Sequence, residues 1–168
     1  MSSDLVFADL QVKIINNESS EKRFTSIDNV FTDFGNENKV RAIELRLDFE
    51  WHKKLNSKHI TSMVISNTYS NTAPKEFWNT NRPILESIIP LIPEERFNLS
   101  QHINFTNHTL DIVGKHYWVL TSNNHLYTSI GSKYLNQRYT TKDFQVLEDN
   151  TINDLENSEF NNDLDFRL

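Results

Sequence analysis

Four of the six histidines, His102, His108, His116 and His125, fall within 24 residues of one another. Imidazole is a common ligand for zinc, copper and nickel, so the cluster raises the question of a metal centre. The spacing argues against one, because no His-x-His, His-x-x-x-His or His-Glu-x-x-His run occurs. Residues 115–131 read as a hairpin turning at Asn123-Asn124, since asparagine tolerates the positive φ of a two-residue turn. That register sets Ser122 opposite His125, Leu120 opposite Tyr127 and Trp118 opposite Ser129. His116 and His125 then share a face six rows apart, roughly 20 Å at 3.3 Å per residue. Two ligands of one zinc ion each lie within about 2 Å of it. The expectation is therefore no metal and no cofactor.

Other chemistries leave equally little trace. The chain has no cysteine, which removes thiolate nucleophiles, thiolate zinc sites and disulfides together. No Gly-x-Ser-x-Gly run is present, and three glycines, Gly35, Gly114 and Gly131, cannot build a phosphate-cradling loop. Two carboxylates far apart in sequence could still meet in a hydrolase, but nothing singles out a pair such as Glu50 with Asp111. The chain reads as a non-enzyme, with a hydrolase lacking any local motif as an alternative.

The strongest compositional signal is charge. The chain holds 17 basic and 23 acidic residues, for a net charge of −6. Glu148 to Leu168 contain seven of the acids and a single base, Arg167, so residues 1–147 are balanced. Thr151 and Asp154 have capping-box spacing. At 100° per residue, however, Ile152, Leu155, Phe160, Leu164 and Phe166 form no single stripe. The expected organisation is a globular domain over 1–147 and an acidic, flexible tail over 148–168. Such a tail suits contact with a basic protein surface, through Asp154, Glu156, Glu159, Phe160, Asp163, Asp165 and Phe166.

The elements that must position these groups follow from periodicity. A length of 168 residues fits one domain, and eleven Phe, five Tyr and three Trp supply large apolar areas for a core. Alternation of Leu10, Val12 and Ile14 with polar neighbours marks a strand over 5–15, followed by a loop at 16–20. Phe24, Ile27, Phe31 and Phe34, spaced three, four and three before Gly35, predict a short helix. Ile43, Leu45, Leu47, Phe49 and Trp51 alternate with charged residues or His52, which predicts a strand with one buried and one wet face. Asn56-Ser57 would turn it into a strand at 59–66, with Phe49 opposite Val64 and Trp51 opposite Ser62. Residues 67–82 read as loop. Pro83 starts and Pro90 ends a second short helix over 82–89. Tyr134, Tyr139, Phe144 and Val146 suggest a further strand. The sum is an α+β domain: an antiparallel sheet of five or more strands with two short helices.

No basic-then-apolar leader opens the sequence, and no run approaches the roughly 20 apolar residues of a spanning helix. A cytoplasmic protein away from membranes is expected. Three Asn-x-Ser/Thr runs at 98–100, 104–106 and 107–109 carry little weight in so asparagine-rich a chain. The leading functional reading is a protein-binding protein, an inhibitor or immunity-type partner of a basic target such as a nuclease. The alternative is a single-strand nucleic-acid binder that stacks bases on Trp51, Tyr117, Trp118 and Tyr127 under an acidic regulatory tail.

Overall fold

In a computed structural model the chain forms one antiparallel sheet of seven strands in the order β1-β2-β3-β4-β5-β6, with β7 also paired to β5. The structure describes residues 3–27, 30–83, 89–155 and 161–168. The strands are β1 (Ser3–Ile27), β2 (Val30–Lys54), β3 (His59–Thr80), β4 (Phe97–Val119), β5 (His125–Val146), β6 (Ile152–Asp154) and β7 (Asn162–Arg167). Among the described residues there is no helix, which corrects the expected α+β class to all-β.

The long strands follow from a shortage of breakers. With four prolines and three glycines in the whole chain, little interrupts extended backbone. The main strands run 22–25 residues, against a usual five or six. They extend roughly 70–85 Å in a ribbon about 20 Å wide from β1 to β5. Register holds without a bulge from end to end: Ser3 faces Lys54 and Thr25 faces Thr32. Pro74 is the one proline inside a strand. It pairs with Val40 of β2, but the β3–β4 ladder lapses at residues 73 and 74, where its missing N–H would have been needed.

Register explains each misjudged element. The supposed loop at 16–20 continues β1, where Asn16 faces Arg41 and Ser20 faces Glu37. The helix expected over 24–34 is two strand ends facing each other, with Phe24 opposite Asp33 and Phe31 opposite Ser26. Aromatics on two paired strand ends imitate helical spacing without sharing a helix. Both phenylalanines are 72 % exposed. Most of the second expected helix, residues 84–88, lies outside the described residues. The loop at 67–82 is largely β3.

Both hairpins also turn elsewhere. In the first, Asn56 Oδ1 accepts from the Lys58 and His59 amides, giving a four-residue loop. Phe49 therefore faces Ile65 and Trp51 faces Met63. One residue of slip exchanges Ser62 for Met63, so the apolar side of β3 joins that of β2. In the second, the Leu120 and Thr121 amides both donate to the Asn124 carbonyl, and Trp118 faces Leu126.

Very little is enclosed. Phe97, Leu99 and Leu155 are the buried hydrophobic side chains among the described residues. They lie at the end of the ribbon where the connector between β3 and β4 crosses one face. Gln145, fully buried, fixes that connector: its Nε2 donates to the Ile92 carbonyl and its Oε1 accepts from the Ile92 amide, each at 2.8 Å. Arg96 adds an ion pair to Asp33 at 2.9 Å. The solvent-accessible surface is 11919 Å²; a compact monomer of this mass exposes about 8,600 Å². An open sheet of one layer accounts for the excess.

Replacing Gln145 by Leu strands both backbone groups of Ile92. At about 1–3 kcal/mol for each fully buried unpaired group, and with Ile92 itself partly exposed, denaturant unfolding should show a loss of roughly 1–3 kcal/mol in total. An unchanged midpoint would show that the connector holds without this side chain.

Candidate functional site: the concave face

Alternation along the strands sorts side chains onto two faces. One carries Leu10, Leu47, Asn67, Leu110 and Tyr134 as a row running from β1 to β5. Four surface depressions open chiefly on this face, which makes it the concave side. The connector and Gln145 lie on the convex side.

Three bands follow one another along the concave face. Nearest the 55–58 loop is an apolar band. Its rows include Val6–Trp51–Met63–Gly114–Ile130 and Ala8–Phe49–Ile65–Ile112. Trp51, Met63 and Ile130 border a depression of 430 Å³. Ile130 is 82 % exposed, and Leu45, Leu47 and Ile112 are exposed as well. The expectation that this side of β2 is buried is therefore not met: nothing among the described residues covers it.

The middle band is polar. Asn71 Nδ2 donates to Asn104 Oδ1 at 2.7 Å and to Thr106 Oγ1 at 3.0 Å. His108 bonds Asn67 Oδ1 at 2.8 Å and meets the Tyr134 ring edge-on. Beyond it runs a basic row, Lys39–Lys75–His102–Lys142. His102 stands edge-on to Phe77 and Phe144. Burial, and then Lys75 and Lys142, hold its imidazole below the usual range. Lys39 is bound to Glu37 at 2.7 Å and Glu18 at 3.1 Å, and Lys142 to Asp154 at 3.2 Å.

The structure disperses the histidines. His116 faces Thr128 and His125 faces Val119, so they point to opposite sides of the sheet rather than sharing one. The cause is a hairpin register shifted by three residues, an odd number. His125 stacks on Tyr117 and bonds its hydroxyl at 2.6 Å on the convex side. His116 meets His59 instead, Nε2 to Nδ1 at 3.2 Å, with Thr61 Oγ1 on its other nitrogen at 3.0 Å. Trp118 stacks on His59 at 5.2 Å. No local spacing could reveal this pair, because the β3–β4 ladder joins residues 57 apart. No group of three or more His, Asp or Glu among the described residues could hold a metal ion.

The acidic terminus returns to the sheet. Residues 152–154 and 162–167 pair with β5 as β6 and β7. Asp154, Asp163 and Asp165 stand along that rim on the concave side. Asp163 is bidentate to Arg138 at 2.8 and 3.1 Å, and the Arg138 guanidinium holds its carboxyl below the usual range. Asp165 pairs with Arg167 at 2.6 Å. Phe166 faces Gln137 on the convex side. Glu156, Glu159 and Phe160 lie outside the described residues.

One ionisable group stands apart. Asp143 is buried on the convex side with neither carboxylate oxygen hydrogen-bonded. Burial pushes its carboxyl up; Gln101, directly across the ladder, pulls the other way but completes no bond to it.

No family model matches this sequence, and no curated protein matches it either. No helix among the described residues is long and apolar enough to cross a membrane.

Because its folded carboxyl titrates above the unfolded one, Asp143 holds a proton more tightly in the native state. Its contribution is most favourable in acid and is lost as pH rises from the ordinary aspartate range through the raised value. Asp143→Asn should therefore melt higher than the parent at about pH 7, with the gain shrinking toward about pH 3. Thermal melts across that range that keep a constant offset would show that the charge is not the cause.

Proposed function

We propose that this is a non-enzymatic protein-binding protein that holds another polypeptide against its concave face. The observation that carries the reading is the contiguous apolar band in which half-buried Trp51 and Met63 adjoin exposed Ile130, Leu47 and Ile112, in a fold with few enclosed hydrophobic side chains among the described residues. Soluble proteins rarely expose patches of this kind unless something docks on them. Aromatic and methionine side chains are the types that anchor such interfaces.

Asp154, Asp163 and Asp165 flank the trough, and the net charge of −6 favours a basic partner. An inhibitor or immunity-type role against a basic target such as a nuclease is the form this binding would take. All three acids are engaged by Lys142, Arg138 and Arg167 of the same chain, so the apolar band rather than the acidic rim supplies the affinity. The absence of cysteine suits a reducing cytoplasm, where we place the protein.

The second reading, single-stranded nucleic acid, rests on the basic row Lys39–Lys75–His102–Lys142. It is the weaker one, because two of its three lysines are already bound to carboxylates and nucleic acid needs an unneutralised basic track.

A photo-reactive phenylalanine analogue replacing Ile130 should crosslink a polypeptide in extracts of the native host. The adduct should disappear when Met63→Glu is added, with melting unchanged. Crosslinks that form instead from Asp163 or Asp165 positions would move the site to the acidic rim. A product containing nucleic acid, lost on Lys75→Glu, would replace the reading by the second one.

A further inference from the structure

Strand β1 is built like the middle of a sheet but lies at its edge. Between residues 5 and 15 it is apolar toward both faces: Val6, Leu10, Val12 and Ile14 on the concave side, Leu5, Phe7 and Ile15 on the convex side. Their exposure runs from 41 % for Ile15 to 66 % for Leu10. Every residue from 4 to 26 is exposed. Free edges in soluble proteins are blunted by proline, bulges, short length or inward charges. This one is 25 residues long, has no proline and keeps an unbroken register with β2.

We infer that β1 is an assembly edge on which β1 of a second copy of this chain pairs antiparallel about a twofold axis at Gln11. Self-complementarity selects this occupant. An isologous contact requires residue i to meet j while j meets i. Centring on Gln11 places Leu10 against Val12, Ala8 against Ile14 and Phe7 against Ile15, each twice. It also places Asp9 against Lys13, again twice, and no other twofold register of β1 does so. The pairing resolves a conflict within one copy. Asp9 faces Asp48 directly across the β1–β2 ladder, an arrangement that costs stability. Asp48 is paired with Arg46, whereas among the described residues Asp9 accepts only a neutral hydrogen bond, from Gln11 Nε2 at 2.8 Å. Lys13 of the second copy supplies the missing cation. At the ends of the paired stretch Asp4 meets Glu18, but each is already held by its own lysine, Asp4 by Lys53 and Glu18 by Lys39.

An even register keeps the two concave faces on the same side, so a sheet of ten long strands results, with the two apolar bands staggered: Leu10 lies beside Val12 at the centre, and Val6 beside Asn16 of the other copy. This inference does not depend on the partner proposed for the concave face.

The full chain, studied by light scattering behind size exclusion, should run as a dimer of the 19.8 kDa chain. Asp9→Lys sets lysine against lysine at two symmetric places and should raise the dissociation constant by about a hundredfold. Adding Lys13→Asp should restore the dimer. Because the chain has no cysteine, Gln11→Cys should give a disulfide-linked dimer under mild oxidation, whereas Thr25→Cys, beyond the paired stretch, should not. A parent protein that is monomeric at tens of micromolar overturns the inference. So does a dimer indifferent to the charge exchange that Gln11→Cys fails to crosslink. Should Asp9→Lys fail to fold, the cysteine pair decides alone.

Discussion

The structure depends on backbone ladders rather than on a core. Five strands of 22–25 residues are held in register by rung after rung of amide–carbonyl bonds, while Phe97, Leu99 and Leu155 are the enclosed hydrophobic side chains among those described. A hydrogen bond contributes about 0.5–1.5 kcal/mol net and a buried large apolar side chain about 1.5–3 kcal/mol. A ladder-rich, core-poor protein is stable only if its apolar rows gain cover from outside or its rungs are unusually many. Here the rungs are many, and the apolar rows remain for something else to cover.

The same constraint fixes the kind of site the molecule can offer. Among the described residues, the depressions are troughs between strands. Side chains come together through register alone. His59 meets His116, Asn71 meets Asn104, and Lys39, Lys75, His102 and Lys142 fall into one row. Rows of this sort present repeated, similar groups over a long distance, which suits an extended surface more than a point-like ligand. Asp143, the buried ionisable group among the described residues, lies on the opposite face, its backbone bonded to Leu155 and to the Asn161 side chain.

What could be read in the sequence was periodicity, and what could not was where each chain reversal falls. The alternation from Ile43 to Trp51 identified β2 and its apolar side correctly. The apolar rule then assumed that such a side must be covered by the chain itself, which holds for most domains and fails for one layer. Placing the first turn at Asn56-Ser57 instead of across residues 55–58 shifted β3 by one residue and hid the partnership of Trp51 with Met63. Phe24 to Phe34 misled because a hairpin and a helix both return a side chain to the same neighbourhood every few residues. Asn16 to Ser20 and residues 67–80 were discounted for their polarity. In a sheet wet on both sides, polarity does not exclude strand, and here Gly35, Pro74, Gly114 and Gly131 also lie within strands.

Every ladder among the five long strands joins neighbours in the chain, so synthesis delivers them in the order in which they pair. β2 can zip against β1 before β3 exists, beginning with Ile27 against Val30 and ending with Ser3 against Lys54. Each later strand then meets a finished template and closes only the connection before it, which spares the entropy of bringing distant segments together. The longest such connection among the five long strands lies between Thr80 and Phe97. A circular permutant opened within residues 55–58 would make β1 and β2 last, and would have to find an assembled β3 with a finished hairpin instead of a growing strand.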